Sequence, residues 1–200
     1  MQKICRRAGA LGGVALVAAL SIGSAPVQSQ QRVLGAGLPP VSLSGQCLTS
    51  GKGYLRARIR GAVRLDVDLR GAALTCEGGP RFDGSGIRMS FEGRVGPERR
   101  RVRMVFGIDG AKEGRPGREL PTNLTVIFEG EKLLFATQGD RNCTVDRLTQ
   151  KRIVTPRREG RSYRLVAHGF CIAPANDLSG RRRILVTTFD FAGRADFNGG

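Results

Sequence analysis

From residue 55 to residue 70 the chain alternates, interrupted only at Gly61-Ala62 and resuming in the same parity. Leu55, Ala57, Ile59, Val63, Leu65, Val67 and Leu69 are apolar, and Arg56, Arg58, Arg60, Arg64, Asp66, Asp68 and Arg70 are charged. A period of two is the mark of a strand with one buried face, because successive side chains point to opposite sides. A two-residue hairpin at Arg60-Gly61 would flip the parity, and the parity is kept. The pattern therefore predicts one long strand bent at Gly61, with a three-residue loop between two strands as the alternative.

The same alternation recurs toward the C-terminus. Ile87, Met89 and Phe91 form one apolar face, and Val102, Met104, Phe106 and Ile108 form another. Residues 122–130 and 131–138 read as strands joined by a tight turn at Gly130-Glu131, and residues 142–149, 161–172 and 181–197 read as three more. No window of helical length carries a 3.6-residue apolar repeat, and glycine-rich breaks separate the runs. These features predict an all-β domain over residues 42–198, a single antiparallel β-sandwich or barrel-like fold. Residues 30–41 read as an extended lead-in.

The N-terminus does not share this pattern. Lys3, Arg6 and Arg7 precede an apolar run from Ala8 to Ile22, and small residues follow. This is the layout of a secretory signal peptide, and the run is too short for a membrane span. Cleavage after Ala25 would place Pro26 at the cut, so the signal is read as residues 1–29. The expectation is a soluble protein, periplasmic or secreted, with no transmembrane anchor once the signal is removed.

Export changes how the cysteines are read. Cys47, Cys76, Cys143 and Cys171 remain after residue 29, and an even count in an oxidising compartment predicts two disulfides. Three connectivities are possible. The short separations from Cys47 to Cys76 and from Cys143 to Cys171 favour pairing of neighbours.

The same reading bears on His168, the only histidine. It stands three residues before Cys171, so on a strand the two side chains point to opposite faces unless a bulge at Gly169 intervenes. No second histidine completes a zinc site, and no C-x-x-C or G-x-S-x-G motif is present. Asp66 and Asp68, flanked by Arg64 and Arg70, read as a solvated ion-pair ladder rather than as a catalytic pair. No catalytic, metal or cofactor-binding residue is assigned, and a non-enzymatic protein is expected. A hydrolytic enzyme ranks third, with an eight-stranded outer-membrane barrel beside it. The absence of tryptophan and the presence of only two tyrosines count against the barrel, which needs aromatic girdles.

Charge supplies the functional expectation. The formal charge is +16, falls to +13 without residues 1–29, and is carried by 28 arginines against 5 lysines. A GC-rich genome would inflate arginine, but a surface this basic attracts polyanions whatever the origin of the bias. Three clusters stand out: Tyr54 with Arg56, Arg58 and Arg60; Arg99, Arg100, Arg101 and Arg103; and Arg181, Arg182 and Arg183. Arginine suits bidentate contact with phosphate, sulfate or carboxylate, and tyrosine can stack beside it. The partner expected is an anionic polymer or envelope surface (glycan, lipopolysaccharide or nucleic acid) or an acidic protein. A second expectation is a protein-binding or inhibitor module using residues 110–123, a Gly/Pro-rich stretch that reads as one long loop.

Overall fold

The computed structural model describes residues 47–48, 51–154 and 160–197. Residues 1–46, which hold the signal peptide and lead-in expected from sequence, lie outside the described residues. Eleven strands follow one another: β1 (Tyr54–Gly61), β2 (Leu65–Arg70), β3 (Leu74–Pro80), β4 (Gly86–Val95), β5 (Arg100–Asp109), β6 (Gly117–Glu129), β7 (Leu133–Ala136), β8 (Cys143–Ile153), β9 (Arg161–Cys171), β10 (Ala175–Asp177) and β11 (Arg183–Phe197). A single 3-10 turn, Gly71–Ala73, is the one helical piece among the described residues. The period-two pattern thus does what it predicts, and the fold is an all-β, antiparallel domain stapled by two disulfides.

Strands β3, β4, β5 and β6 form a meander. Strands β7 and β8 then occupy the same edge of β6, at residues 125–128 and 117–122, so they are two pieces of one long strand. Strands β9 and β10 divide the facing edge of β11 in the same way. The pieces pair with each other, β8 with β9 and β7 with β10, and β1 and β2 continue the sheet beyond β11. The two end strands, β2 and β3, are therefore consecutive in the chain.

The sheet curls until β3 runs beside β11. The inner face is a phenylalanine core: Phe91 and Phe106 of β4 and β5 lie 4.8 and 5.0 Å, ring to ring, from Phe191 of β11. No ladder joins β3 to β11. Their approach depends on glycine. A Cβ at Gly78 would stand 2.3 Å from Met89 Sδ and 2.8 Å from the Arg194 carbonyl oxygen. The disulfide Cys47–Cys76 sits at this seam, with Cys47 Sγ 3.6 Å from the Ala192 carbonyl of β11. The second disulfide, Cys143–Cys171, links residues directly opposite on β8 and β9, where each long strand breaks. Both pairings are those the spacings favour.

Three local expectations are corrected. The chain does not bend as one strand at Gly61. It turns back, pairing Ile59 with Leu65, through a loop at 62–64. Gly61 adopts a φ of 114°, the Ala62 N–H donates to the Arg183 carbonyl, and Val63 is buried, so the turn is anchored to β11. Residues 117–123 are not loop but the first half of β6, leaving only 110–116 irregular. That short loop is pinned by Gln150, whose amide donates to the carbonyls of Lys112 and Arg115 and accepts from the Gly114 N–H. Strands β3 and β10 have no counterpart in the period-two pattern.

Candidate functional site

Opposite faces separate His168 from Cys171, as period two requires. Cys171 is buried in its disulfide with Leu165 and Ala167 on the same face, while His168 is exposed. The bulge in this region falls in β8, between Val145 and Arg147, and not at Gly169. It sets Asp146 Oδ2 3.8 Å from His168 Nδ1. Gly169 instead permits close packing, since a Cβ there would stand 2.2 Å from the Thr144 carbonyl oxygen and 2.4 Å from the Phe189 ring. Among the described residues no group of three or more His, Cys, Asp or Glu side chains is placed to hold a metal.

Of the three basic clusters, the first is largely balanced. Arg56, Arg58 and Arg60 do share the outer face of β1, but Asp66 and Asp68 of β2 stand directly across from Arg58 and Arg56. Arg60 lies 2.6 Å from Asp66, and Arg56 lies 3.8 Å from both Asp68 and Asp190. The ladder expected within residues 64–70 is thus mainly a ladder across the β1–β2 hairpin, with only Asp68–Arg70 local. Hydrogen bonds from Arg60 and Arg70 hold the Asp66 and Asp68 carboxyls below the usual range. The Arg56 guanidinium covers the Tyr54 ring at 5.1 Å, so that aromatic face is already occupied. A shallow groove of about 520 Å³ over this region is lined by Arg56, Arg58 and His168, but also by Asp66, Asp68 and Asp190. Its charge is mixed.

The second cluster splits. Arg101 and Arg103 share Glu92 and Glu129, with Arg101–Glu129 at 2.9 Å and Arg103–Glu129 at 2.8 Å. Arg100 lies over the Phe128 ring at 4.4 Å and forms a two-pronged bond to Glu131 at 2.8 and 2.7 Å. Arg99 differs. It sits in the β4–β5 turn at a φ of 52°, with no carboxylate in bridging range among the described residues.

The third cluster splits similarly. Arg182 donates its backbone N–H and Nε to Asp177, whose carboxylate also accepts from the Ser179 hydroxyl. Burial pushes the Asp177 carboxyl up, but these bonds outweigh it and hold it at about 2. Arg181 and Arg183 are exposed and without a carboxylate partner among the described residues.

Register shows which of these meet. Gly61 pairs with Ile184, Ile184 with Ala175, and Asp177 with Phe135; Leu133 pairs with Phe128, Glu129 with Arg101, and Arg100 with Val95. The turns β1–β2, β10–β11, β6–β7 and β4–β5 therefore share one end of the sheet. Arg64, Arg181, Arg183, Lys132 and Arg99 come to that end from four separate turns, and none has a carboxylate partner among the described residues. The second and third clusters thus supply one free cation and two to a common rim. Arg64 and Lys132, which belong to no sequence cluster, join them.

The outer sheet face carries a second set that the sequence does not suggest. Arg118 of β6 pairs in register with Arg147 of β8, Lys151 of β8 with Arg164 of β9, and Arg164 with Arg194 of β11. These residues are far apart in the chain, and only strand register makes them neighbours. No family model, curated protein or solved structure matches this chain.

Proposed function

We propose that the protein is a non-enzymatic, exported β-domain that binds an anionic polymer or envelope surface. The observation that carries this reading is the rim, where Arg64, Arg99, Lys132, Arg181 and Arg183 converge without carboxylate partners among the described residues. Several arginines elsewhere are answered by acids: Glu92 and Glu129 for Arg101 and Arg103, Asp66 for Arg60, and Asp68 and Asp190 for Arg56. Five unanswered cations from four turns are thus gathered at one end of the sheet, beside those on its outer face. Concentrated cations release counterions when a polyanion binds, and that release drives association at low salt.

Export is part of the proposal. Two disulfides belong to an oxidising environment, and residues 1–29 have the layout of a secretory signal. No helix among the described residues is long and apolar enough to cross a membrane. The loop-based reading loses its main support, since most of residues 110–123 is strand and the remainder is pinned. A polyanion column run at rising salt tests the proposal. Retention at low salt with steep loss as salt rises is the expected result, and elution with the void volume would reject it.

A further inference from the structure

We propose that Lys151, Arg164 and Arg194 form a discrete site for one tetrahedral oxyanion, a sulfate or phosphate ester group, on the outer face of β8, β9 and β11. The proposal rests on the polyanion reading for the source of that group. Its physical basis is separate from the rim.

Lys151 pairs with Arg164, and Arg164 pairs with Arg194, so three cations stand side by side across three hydrogen-bonded strands. Residues directly opposite on antiparallel strands share a face, with Cβ atoms about 4.5–5.5 Å apart. The inward residues here are Leu148, Leu165, Gly193 and Ala195, which fixes the three cations as outward. Like charges in this position repel, and a sequence that keeps three of them in one row gains nothing from the sheet itself. Asp196 answers Arg194 through a 3.1 Å contact to its Nε. No carboxylate bridges to Arg164 or Lys151 among the described residues.

Arg164 supplies the second observation. Its Nε is buried and has no hydrogen-bond partner. A guanidinium N–H removed from water normally has an acceptor, and one without it calls for a bound water or ion. The neighbouring Tyr54 hydroxyl donates to Asp190 at 2.9 Å and makes no bond to Arg164 Nε. An oxyanion placed between Arg164 and Lys151 would accept from the guanidinium and from the ammonium at once, and would give Nε an acceptor once that side chain turns outward. It would also screen the repulsion along the row. A tetrahedral group fits better than a carboxylate, since it offers more oxygens to donors that stand side by side on three strands.

The test is thermal unfolding of the full mature protein in inorganic sulfate and in inorganic phosphate, each against chloride at matched ionic strength. Wild type and Arg164→Gln are compared. General stabilisation by these salts acts on both proteins alike, so the site is read from the difference between them. The expected result is a saturating rise in wild type and a response to the same anion weakened about tenfold or more in Arg164→Gln, the loss of one charge-assisted hydrogen bond. In chloride alone at low ionic strength, Arg164→Gln should unfold at a higher temperature than wild type, because it removes the repulsion. Arg164→Lys keeps the charge but loses the planar fork, and should lose most of the response.

Equal responses in wild type and Arg164→Gln would overturn the site. So would a lower unfolding temperature for Arg164→Gln in chloride, which would make Arg164 a structural contact. The relative strength of the sulfate and phosphate responses identifies the ester. Polyanion-column retention of the same variants separates the two proposals: the rim reading fails if wild type is not retained, whatever the anion titration shows.

Discussion

Asp177 sits at 8 % exposure in the β10–β11 turn and keeps its charge by accepting from the Arg182 backbone, the Arg182 guanidinium and the Ser179 hydroxyl. Asp83 does the same in the β3–β4 turn, accepting from the Ser85 N–H, Arg81 and the Ser85 hydroxyl, and is also held at about 2. Both folded values lie below the ordinary aspartate value of about 4. Their contribution to stability is therefore complete above pH 4 and lost as the pH falls toward 2. Urea unfolding midpoints should hold steady from pH 7 to about pH 4.5 and then drop, with a smaller drop in Asp177→Asn. A midpoint that rises on acidification would contradict these assignments. At this scale sequence reading is least informative. Arg181, Arg182 and Arg183 look alike in the chain, yet the middle one is tied to Asp177 and its neighbours are free. Which arginine meets a carboxylate depends on turn geometry, which composition does not encode.

Strands were legible wherever one face is buried and the other solvated, as in β1, β2, β4 and β5. Strand β3 was not, because its sequence, Leu-Thr-Cys-Glu-Gly-Gly-Pro, has turn composition. The glycines that disguise it are needed where it meets β11, since Gly78 leaves no room for a Cβ beside Met89 and Arg194. The disguise and the function of the segment have one cause. Gly78→Ala should destabilise the fold by about 1–3 kcal/mol, the usual penalty for overpacking, as measured by chemical denaturation. An unchanged midpoint would mean the seam is not closely packed. Removing the disulfide beside the seam, with Cys47→Ala and Cys76→Ala together, should cost about 3 kcal/mol. The Gly61 turn and the first half of β6 were misread for a related reason. A glycine inside an alternating run fits a bend or a turn equally well, and the Gly/Pro content of 114–121 masks a strand held by its ladder to β8.

For the whole molecule, the basic charge was evident from the sequence but its distribution was not. The arginine row of β1, prominent in the sequence, is largely countered, because Asp66 bridges Arg60 and Asp68 and Asp190 bridge Arg56, leaving only Arg58 without a bridge among the described residues. The rim and the Lys151–Arg164–Arg194 row arise from register between distant segments, and no local motif points to them. The most direct measurement is the salt dependence of polyanion binding for two folded triple variants beside wild type. Arg99→Ser, Arg181→Ser and Arg183→Ser together should flatten the slope of log affinity against log salt by up to about three units, one for each counterion-displacing cation. Arg56→Ser, Arg58→Ser and Arg60→Ser together should flatten it by no more than about one unit, since two of those charges are already countered. Equal effects from both triples, or a wild-type slope near zero, would contradict a binding surface built from the free cations of the rim.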